Sequence, residues 1–440
     1  MEFQKRQYFK MNPARLLTLI LFSFIVLGTV LLKLPIAVEQ EISWVDAFFT
    51  TVSALTVTGL VVVDTGSTFT TFGEVVILLL IQIGGIGIMT FAVLIFLMVG
   101  KRIGVKERML IQQSLNHMSI GGVVALAKKI LIVSLIIEAV AFCALSVRWV
   151  PEYGWKEGMY VAVFHSISAF NNAGFSIWSD SLSKYVADPI VNLIISLLII
   201  LGGLGFTVLI DLWEKKDFRQ LKLHTKLMLF GTIFLNLFSM VVIFVLEYQN
   251  TLGNLSWFGK LQASFFQGIV PRTAGFNSVD IGSLNESTLF FIMILMFIGA
   301  GSTSTGGGIK LTTFLAITIF VFAFLKNRKE VVLFRKSISD TIVFRALAIA
   351  IVSLGVITLS TFLLSITEQG HFLATLFEVV SAFGTVGLSM GITSQLSLFG
   401  KMVIAIVMFI GKIGPLTLAY SMTKPDSVVI RYPKEDILTG

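Results

Sequence analysis

Charge is scarce in this chain of 440 residues: Asp, Glu, Lys and Arg together make up 13%, about half the share of an ordinary soluble protein. A soluble protein of this length needs a polar skin, and this composition cannot supply one. Cysteine is scarcer still. Cys143 stands alone, which excludes an intrachain disulfide and any thiolate zinc cluster. The four histidines, His117, His165, His224 and His371, lie far apart and form no HExxH-type pair, so metal catalysis has almost nothing to work with. Basic residues exceed acidic ones by 33 to 25. They sit between apolar runs rather than on one soluble face, so no nucleic-acid partner is expected.

What the chain has in abundance is apolar side chains, 55% of its residues, with a mean hydropathy of +0.91. Many apolar runs reach the ~20 residues needed to cross a bilayer, which makes this a polytopic membrane protein. Eight full spans are expected, at 16–34, 74–98, 130–148, 190–212, 227–247, 288–325, 342–366 and 399–422, the sixth too long for one uninterrupted crossing. No cleavage site with a mature soluble domain follows the basic N-terminus, so the first run is taken as a retained span. Segments of mixed polarity lie at 45–72, 157–185, 257–284 and 371–396. Each opens with an amphipathic stretch too short to span and then passes through a glycine turn. That is the pattern of a re-entrant helix and loop, which lipid tolerates only when buried in protein or lining water. Most basic residues fall in the N-tail 1–15, the loops 101–129, 214–226 and 326–345, and the C-tail 423–440. The opposite side carries Glu39, Glu41, Asp46, Asp64, Asp180, Asp188, Asp280 and Glu286. Positive-inside topology then puts both termini in the cytoplasm.

Internal repetition is the most informative feature. Aligned on one glycine each, the mixed segments read SALTVTGLVVVD (53–64), SAFNNAGFSIWSD (168–180), IVPRTAGFNSVD (269–280) and SAFGTVGLSMG (381–391). The glycines are Gly59, Gly174, Gly275 and Gly387, 101 to 115 residues apart. The following apolar spans carry second clusters: IGGIG (83–87), LGGLG (201–205), IGAGS (298–302) and IGKIG (410–414). The expected fold is all-α, with four span–pore-loop–span repeats (16–98, 130–212, 227–325, 342–422) in a pseudo-fourfold arrangement. Eight full spans and four re-entrant pore helices result. Loops meeting on an axis can present rings of backbone carbonyls that replace the hydration shell of an alkali cation, and glycine permits the φ values that aim them inward. The pore helices point their partly negative C-terminal ends at the cavity, and outer Asp46, Asp64, Asp180 and Asp280 raise the local cation concentration. Only the four loop glycines are assigned this role; Gly84, Gly87, Gly202, Gly205 and Gly414 are taken as helix-contact glycines.

The sixth span holds GAGSTSTGGGIK (299–310), with five glycines and four hydroxyl residues in its first ten positions. Such a stretch cannot keep a helix in hydrocarbon, so it should break into helix, loop, helix, with the loop buried below the third glycine loop and obstructing the passage. A nucleotide-binding reading of Gly301-x4-Gly306 fails because Lys-Ser/Thr does not follow and no βαβ pattern precedes.

These residues resemble the Ktr/Trk/HKT superfamily of cation translocators, most closely its KtrB-type potassium uptake membrane subunits. The resemblance covers essentially the whole chain and rests on the four loop glycines, the RTAGF string at 272–276 and the broken sixth span. It implies a non-enzymatic potassium-permeable pore in the bacterial plasma membrane, with K+ as transported ion, no organic cofactor in this chain, and Na+-dependent uptake as a variant of the same reading. It also implies a homodimer bearing two pores and a cytosolic KtrA-type nucleotide-binding regulatory ring as gating partner. Carried over residue by residue, the selectivity filter is Gly59, Gly174, Gly275 and Gly387. The carbonyls of Val57, Thr58, Asn172, Ala173, Thr273, Ala274, Thr385 and Val386 line the same passage. Glycine rather than serine at position 59 points to potassium. The gate is the loop Gly299, Gly301, Ser302, Thr303, Ser304, Thr305, Gly306, Gly307 and Gly308, with Lys310 after it. Lys412 faces the pore below the filter, where it limits conduction or assists gating.

Other ionisable residues carry smaller expectations. Lys310 either snorkels to the cytoplasmic interface or serves the gate. Glu378 supports the filter from behind, Arg272 braces its loop, and His165 is hydrogen-bonded in packing. Glu138, mid-span, needs a polar partner that the sequence does not identify. The cytoplasmic basic loops set topology, with partner docking or membrane-lipid contact secondary. Alternative readings are a sodium-conducting or poorly selective member of the superfamily, and a secondary carrier with re-entrant hairpins. Four same-sense repeats disfavour the carrier.

Overall fold

Backbone polar groups in hydrocarbon must be satisfied within their own segment, so each long apolar run folds as a helix. In chain order these are α1 (Pro13–Leu32), α2 (Trp44–Thr56), α3 (Thr71–Ile86), α4 (Val123–Tyr153), α5 (Trp155–Phe170), α6 (Pro189–Leu204) and α7 (Phe206–Glu214). There follow α8 (Leu223–Glu247), α9 (Trp257–Ile269), α10 (Glu286–Phe297), α11 (Leu311–Leu325), α12 (Asp340–Thr367), α13 (Phe372–Gly384) and α14 (Leu398–Ile413). The computed structural model describes residues 13–87, 90, 122–328, 330–334 and 336–414. The expected tails 1–12 and 423–440, the basic stretch 101–121, and the inner ends of the second and eighth spans lie outside the described residues.

The protein is mostly helical, and the all-α expectation is corrected at one place. An antiparallel hairpin, Val331–Leu333 with Lys336–Ile338, occupies the basic connection after α11. Among the described residues, α4, α8 and α12 are long and apolar enough to cross a membrane unbroken. A fourth span would need α6 and α7 together, and these bend by 95°. The straight crossing expected over 190–212 is therefore corrected: the helix stops at Gly205. The same break ends α3 at Gly87 and α14 at Gly414. These three glycines hold φ of 92°, 97° and 87° with ψ between 130° and 141°, a region closed to residues with a Cβ. Each of the three ends its helix, a role not expected of it, and Gly205 is a contact glycine as well, since a Cβ there would lie 2.4 Å from Ser302 O. The third segment breaks at the corresponding place, where α10 gives way to the loop before α11.

Packing runs in a cycle. Three of the short helices that precede a glycine loop pack against both the long helix before and the apolar helix after, α2 on α1 and α3, α5 on α4 and α6, α13 on α12 and α14, while α9 packs on α8 before it. Each apolar helix also packs on the next short helix, α3 on α5, α6 on α9 and α10 on α13, and α14 returns to α2. That return is pinned by Lys401 on α14, whose Nζ donates to Asp46 Oδ1 on α2 at 2.6 Å. Serine and threonine hydroxyls cap the helices that must start abruptly, Ser43 for α2, Thr70 for α3, Ser256 for α9 and Ser397 for α14. The core between the short helices is aromatic, with Phe49, Phe164, Phe266 and Phe377 fully buried.

Gly84, Gly202 and Gly411 permit this contact. A Cβ there would lie 1.9 to 2.1 Å from the carbonyl oxygens of Leu55, Phe170 and Phe383, at the ends of α2, α5 and α13. Glycine to alanine inside a helix ordinarily gains about 1 kcal/mol, but no backbone carbonyl can be displaced that cheaply. We expect Gly84→Ala, Gly202→Ala and Gly411→Ala to lower the thermal midpoint in detergent. Gly355→Ala on α12, where a Cβ meets nothing within 4 Å, should raise it; equal behaviour of the two classes would contradict this packing.

Candidate functional site

The loops after α2, α5, α9 and α13 share one backbone path. Val57, Asn172, Thr273 and Thr385 all adopt left-handed conformations, φ 50° to 77°. Two residues later Gly59, Gly174, Gly275 and Gly387 do so again, φ 68° to 91°. A left-handed β-branched residue costs about 1–2 kcal/mol, so the surroundings must hold it. The intervening amides of Thr58, Ala173 and Val386 donate to the carbonyls of Ser53, Ser168 and Ser381 at 2.8, 2.8 and 2.9 Å. The Ser53 and Ser381 hydroxyls accept from the amides of Gly59 and Gly387, both at 3.1 Å. Ser168 instead donates to the Phe175 carbonyl at 2.7 Å. In the third loop Ile269 stands in place of serine, and the Ala274 amide donates to Val270 O at 2.9 Å. The residue after each glycine, Leu60, Phe175, Phe276 or Leu388, is fully buried and anchors the loop in the core.

The four loops close on one another. A Cβ on Gly59 would lie 2.4 Å from Ala173 O, on Gly174 2.8 Å from Ala274 O, on Gly275 2.2 Å from Val386 O, and on Gly387 2.2 Å from Thr58 O. Backbone meets backbone all the way round. All twelve residues named from the sequence for this passage are therefore brought together. The left-handed turn at these four positions was not anticipated, because Val57, Thr273 and Thr385 are β-branched and only Asn172 is a turn former. The available signal was their common position two residues before each glycine.

Polar side chains brace the ring from behind. His165 Nε2 pairs with Ser176 Oγ at 3.1 Å, and eleven residues likewise separate Glu378 from Ser389, whose hydroxyl donates to it at 2.8 Å. Thr393 donates to Glu378 as well. Arg272, buried, donates from Nη1 to Asn236 Oδ1 at 2.9 Å and from Nη2 toward Thr232 Oγ1 at 3.4 Å. Glu138 finds its partners in Gln82 and Asn171. Above the ring lies a cavity lined by the four glycines, Asp64, Asp280, Trp178 and Ser389. Of the four acidic residues expected at this mouth, Asp64 and Asp280 line it. Asp46 is instead bound to Lys401, and Asp180 is outside the lining.

Below the ring, residues 298–310 form a loop held by hydrogen bonds to its neighbours. The Gly301 amide donates to Gly203 O at 2.8 Å, and the Gly299 amide to Ile309 O at 2.8 Å. The Gly307 amide reaches Thr385 Oγ1 at 2.8 Å. A Cβ on Gly306 would lie 2.2 Å from Thr273 Oγ1. The loop thus abuts the first residues of both the third and the fourth glycine loops. Lys310 Nζ turns back to Gly306 O and Lys412 Nζ crosses to Thr305 O, each at 2.6 Å. Lys310 therefore does not snorkel outward, and two ammonium groups grip consecutive carbonyls of one loop.

Residues 2–428 match the family described as TrkH, cation transport protein. The Ktr system potassium uptake protein B of Bacillus subtilis is 53% identical over 436 residues, 99% of this chain and 98% of that one. The protein of the same description from Vibrio alginolyticus is 44% identical, covering 99% and 97%. The potassium/sodium uptake protein NtpJ of Enterococcus hirae is 35% identical, covering 99% of each. Among solved structures, the potassium transporter TrkH from Vibrio parahaemolyticus shares the fold, with a TM-score of 0.73 at 21% identity over 96% of this chain and 87% of that one.

The Arg272 guanidinium has only neutral partners in its hydrogen bonds, Asn236 and Thr232. Asn236→Leu should destabilise the protein by about 3 kcal/mol, the cost of stripping a buried charge of its partner. Asn236→Asp, which supplies a counter-charge, should be tolerated. Thermal midpoints in detergent check both, and a tolerated leucine would refute the brace.

Proposed function

Because the chain belongs to the TrkH family of cation transport proteins, we propose that it is the ion-translocating subunit of a potassium uptake system. The observation that carries the reading is the closed ring of four glycine loops, in which carbonyl oxygens and glycines from separate segments stand in contact. Read as a filter, the ring offers a dehydrated cation the backbone carbonyls of Val57, Thr58, Gly59, Asn172, Ala173, Gly174, Thr273, Ala274, Gly275, Thr385, Val386 and Gly387. Helices α2, α5, α9 and α13 end at the ring, so their partly negative C-termini favour a cation there. Asp64 and Asp280 at the mouth add to the attraction. Potassium is favoured by the names of the full-length relatives and by glycine at position 59. The potassium/sodium name of one relative favours a second outcome, a less selective pore that also passes sodium.

In this reading the chain is four span–pore-loop–span units about a pseudo-fourfold axis, residues 16–98, 130–212, 227–325 and 342–422, with both termini in the cytoplasm of a bacterial cell. The loop 299–310 is the gate. It lies across the passage, and the charges of Lys310 and Lys412 repel a cation that has left the ring. Opening requires the loop to release Thr385 and Gly203 and carry its carbonyls off the lysines. The Ktr names of the relatives support a partner subunit as the driver of that movement. We assign this role to a cytosolic KtrA-type nucleotide-binding ring beneath a homodimer of this chain.

The test is rubidium or potassium uptake in bacteria lacking their own uptake systems, with and without a nucleotide-binding partner, at two sodium concentrations. Saturable uptake that rises with the partner supports the reading, and absence of both potassium and sodium flux from membrane-inserted protein would refute it. Shortening 300–308 should raise basal flux and weaken partner control; unchanged flux with intact control would sink the gate assignment. Gly59→Ser should shift preference toward sodium, and an unaltered K+/Na+ ratio would remove position 59 from the filter.

A further inference from the structure

Glu138 sits mid-helix on α4, 5% exposed, among apolar neighbours. Two neutral amides serve it. Gln82 Nε2, on α3, donates to both of its carboxylate oxygens at 3.0 Å, and Asn171 Nδ2 donates to Oε1 at 3.2 Å. Asn171 Nδ2 also reaches Gln82 Oε1 at 2.8 Å, which closes a triangle across α3, α4 and the end of α5. No basic side chain forms an ion pair with Glu138 among the described residues. A buried carboxylate without a counter-charge is costly, and an apolar side chain of similar volume would pack at least as well. A carboxylate at this place calls for a role other than packing.

The geometry supplies one. Asn171 immediately precedes Asn172, the left-handed residue of the second loop, and Ala173, whose carbonyl abuts Gly59. The other face of the Asn171 side chain is pressed against Gly85, where a Cβ would lie 2.0 Å from Oδ1. The Asn172 amide in turn meets Thr273 Oγ1 of the third loop at 3.1 Å. We propose that Glu138 is a positioning residue: through Gln82 and Asn171 it holds the turn at Asn172, and so sets where the Ala173 carbonyl stands in the ring. The proposal rests on reading the ring as a cation filter, and it adds a polar tie from α3 of the first segment to the loop of the second. Glu138 touches no transported ion. It acts on cation affinity and discrimination through the loop.

The test uses the full chain with its regulatory partner, in the uptake assay with K+, Rb+ and Na+. Glu138→Gln places an amide opposite the Gln82 amide and breaks the triangle. We expect the KM for K+ to rise by about tenfold, as for loss of a group that orients a ligand, with K+/Na+ discrimination falling in parallel. Vmax per molecule in the membrane should change much less. The exchange Gln82→Glu with Glu138→Gln rebuilds three of the triangle's four hydrogen bonds with acid and amide reversed, including both from Asn171, and should restore most of the KM and discrimination. Glu138→Gln that lowers only Vmax or protein yield, or an exchange that fails to rescue, overturns the proposal. Gly59→Ser in the same assay separates the two readings. If it alters discrimination while Glu138→Gln does not, only the positioning role falls; if neither does, the filter reading falls and takes this proposal with it.

Discussion

The structure depends on four contacts between backbones. Where Thr58 O meets Gly387, Ala173 O meets Gly59, Ala274 O meets Gly174 and Val386 O meets Gly275, no side chain can intervene. Everything around the ring keeps those contacts in place. The short helices deliver the loops, and in three of them a serine near the helix end, Ser53, Ser168 or Ser381, accepts from a loop amide. Buried residues after each glycine pin the far side. Because carbonyl oxygens repel one another, crowding them into one ring puts it under electrostatic tension. The braces behind the loops resist that tension, which explains why buried polar groups gather there in a protein otherwise poor in charge.

The braces differ from loop to loop. The second loop is held on one side by His165 and on the other by Asn171, the fourth by Glu378, and the third by Arg272. The first has Thr50 at the place of His165 and Glu378, with its hydroxyl unpartnered. Four unlike loops cannot form four equivalent sites. The ring thus joins a shared backbone path to individual side-chain supports, and unequal stiffness follows from the supports.

Much of this was legible in the sequence, and the reasons for the remainder are physical. Gly59, Gly174, Gly275 and Gly387 could be found because one residue type at one register recurs in four segments. The broken loop 299–310 could be found because its glycines and hydroxyls cannot sustain a helix. The breaks at Gly87, Gly205 and Gly414 were misjudged. A GGxG string serves both as a packing face and as a stop, and in fact Gly84 and Gly202 pack while the last glycine of each cluster stops the helix. The partners of Glu138 were out of reach because Gln82 is 56 residues away and the contact exists only once α3, α4 and α5 have assembled. The resting places of Lys310 and Lys412 also depended on tertiary structure, since both ammonium groups seek carbonyls that become available only after the sixth span has broken.

The seam between α14 and α2 has a consequence for biogenesis. The ring's last contact brings Gly387 against Thr58 O, 329 positions away, and the Lys401–Asp46 pair joins residues 355 positions apart. A chain emerging from the ribosome inserts its N-terminal helices first, at about 5–20 residues per second. Until the fourth loop arrives after α13, the nascent protein is an open horseshoe whose first and third loops each lack a neighbour. It can hold no complete cage of oxygens in that state.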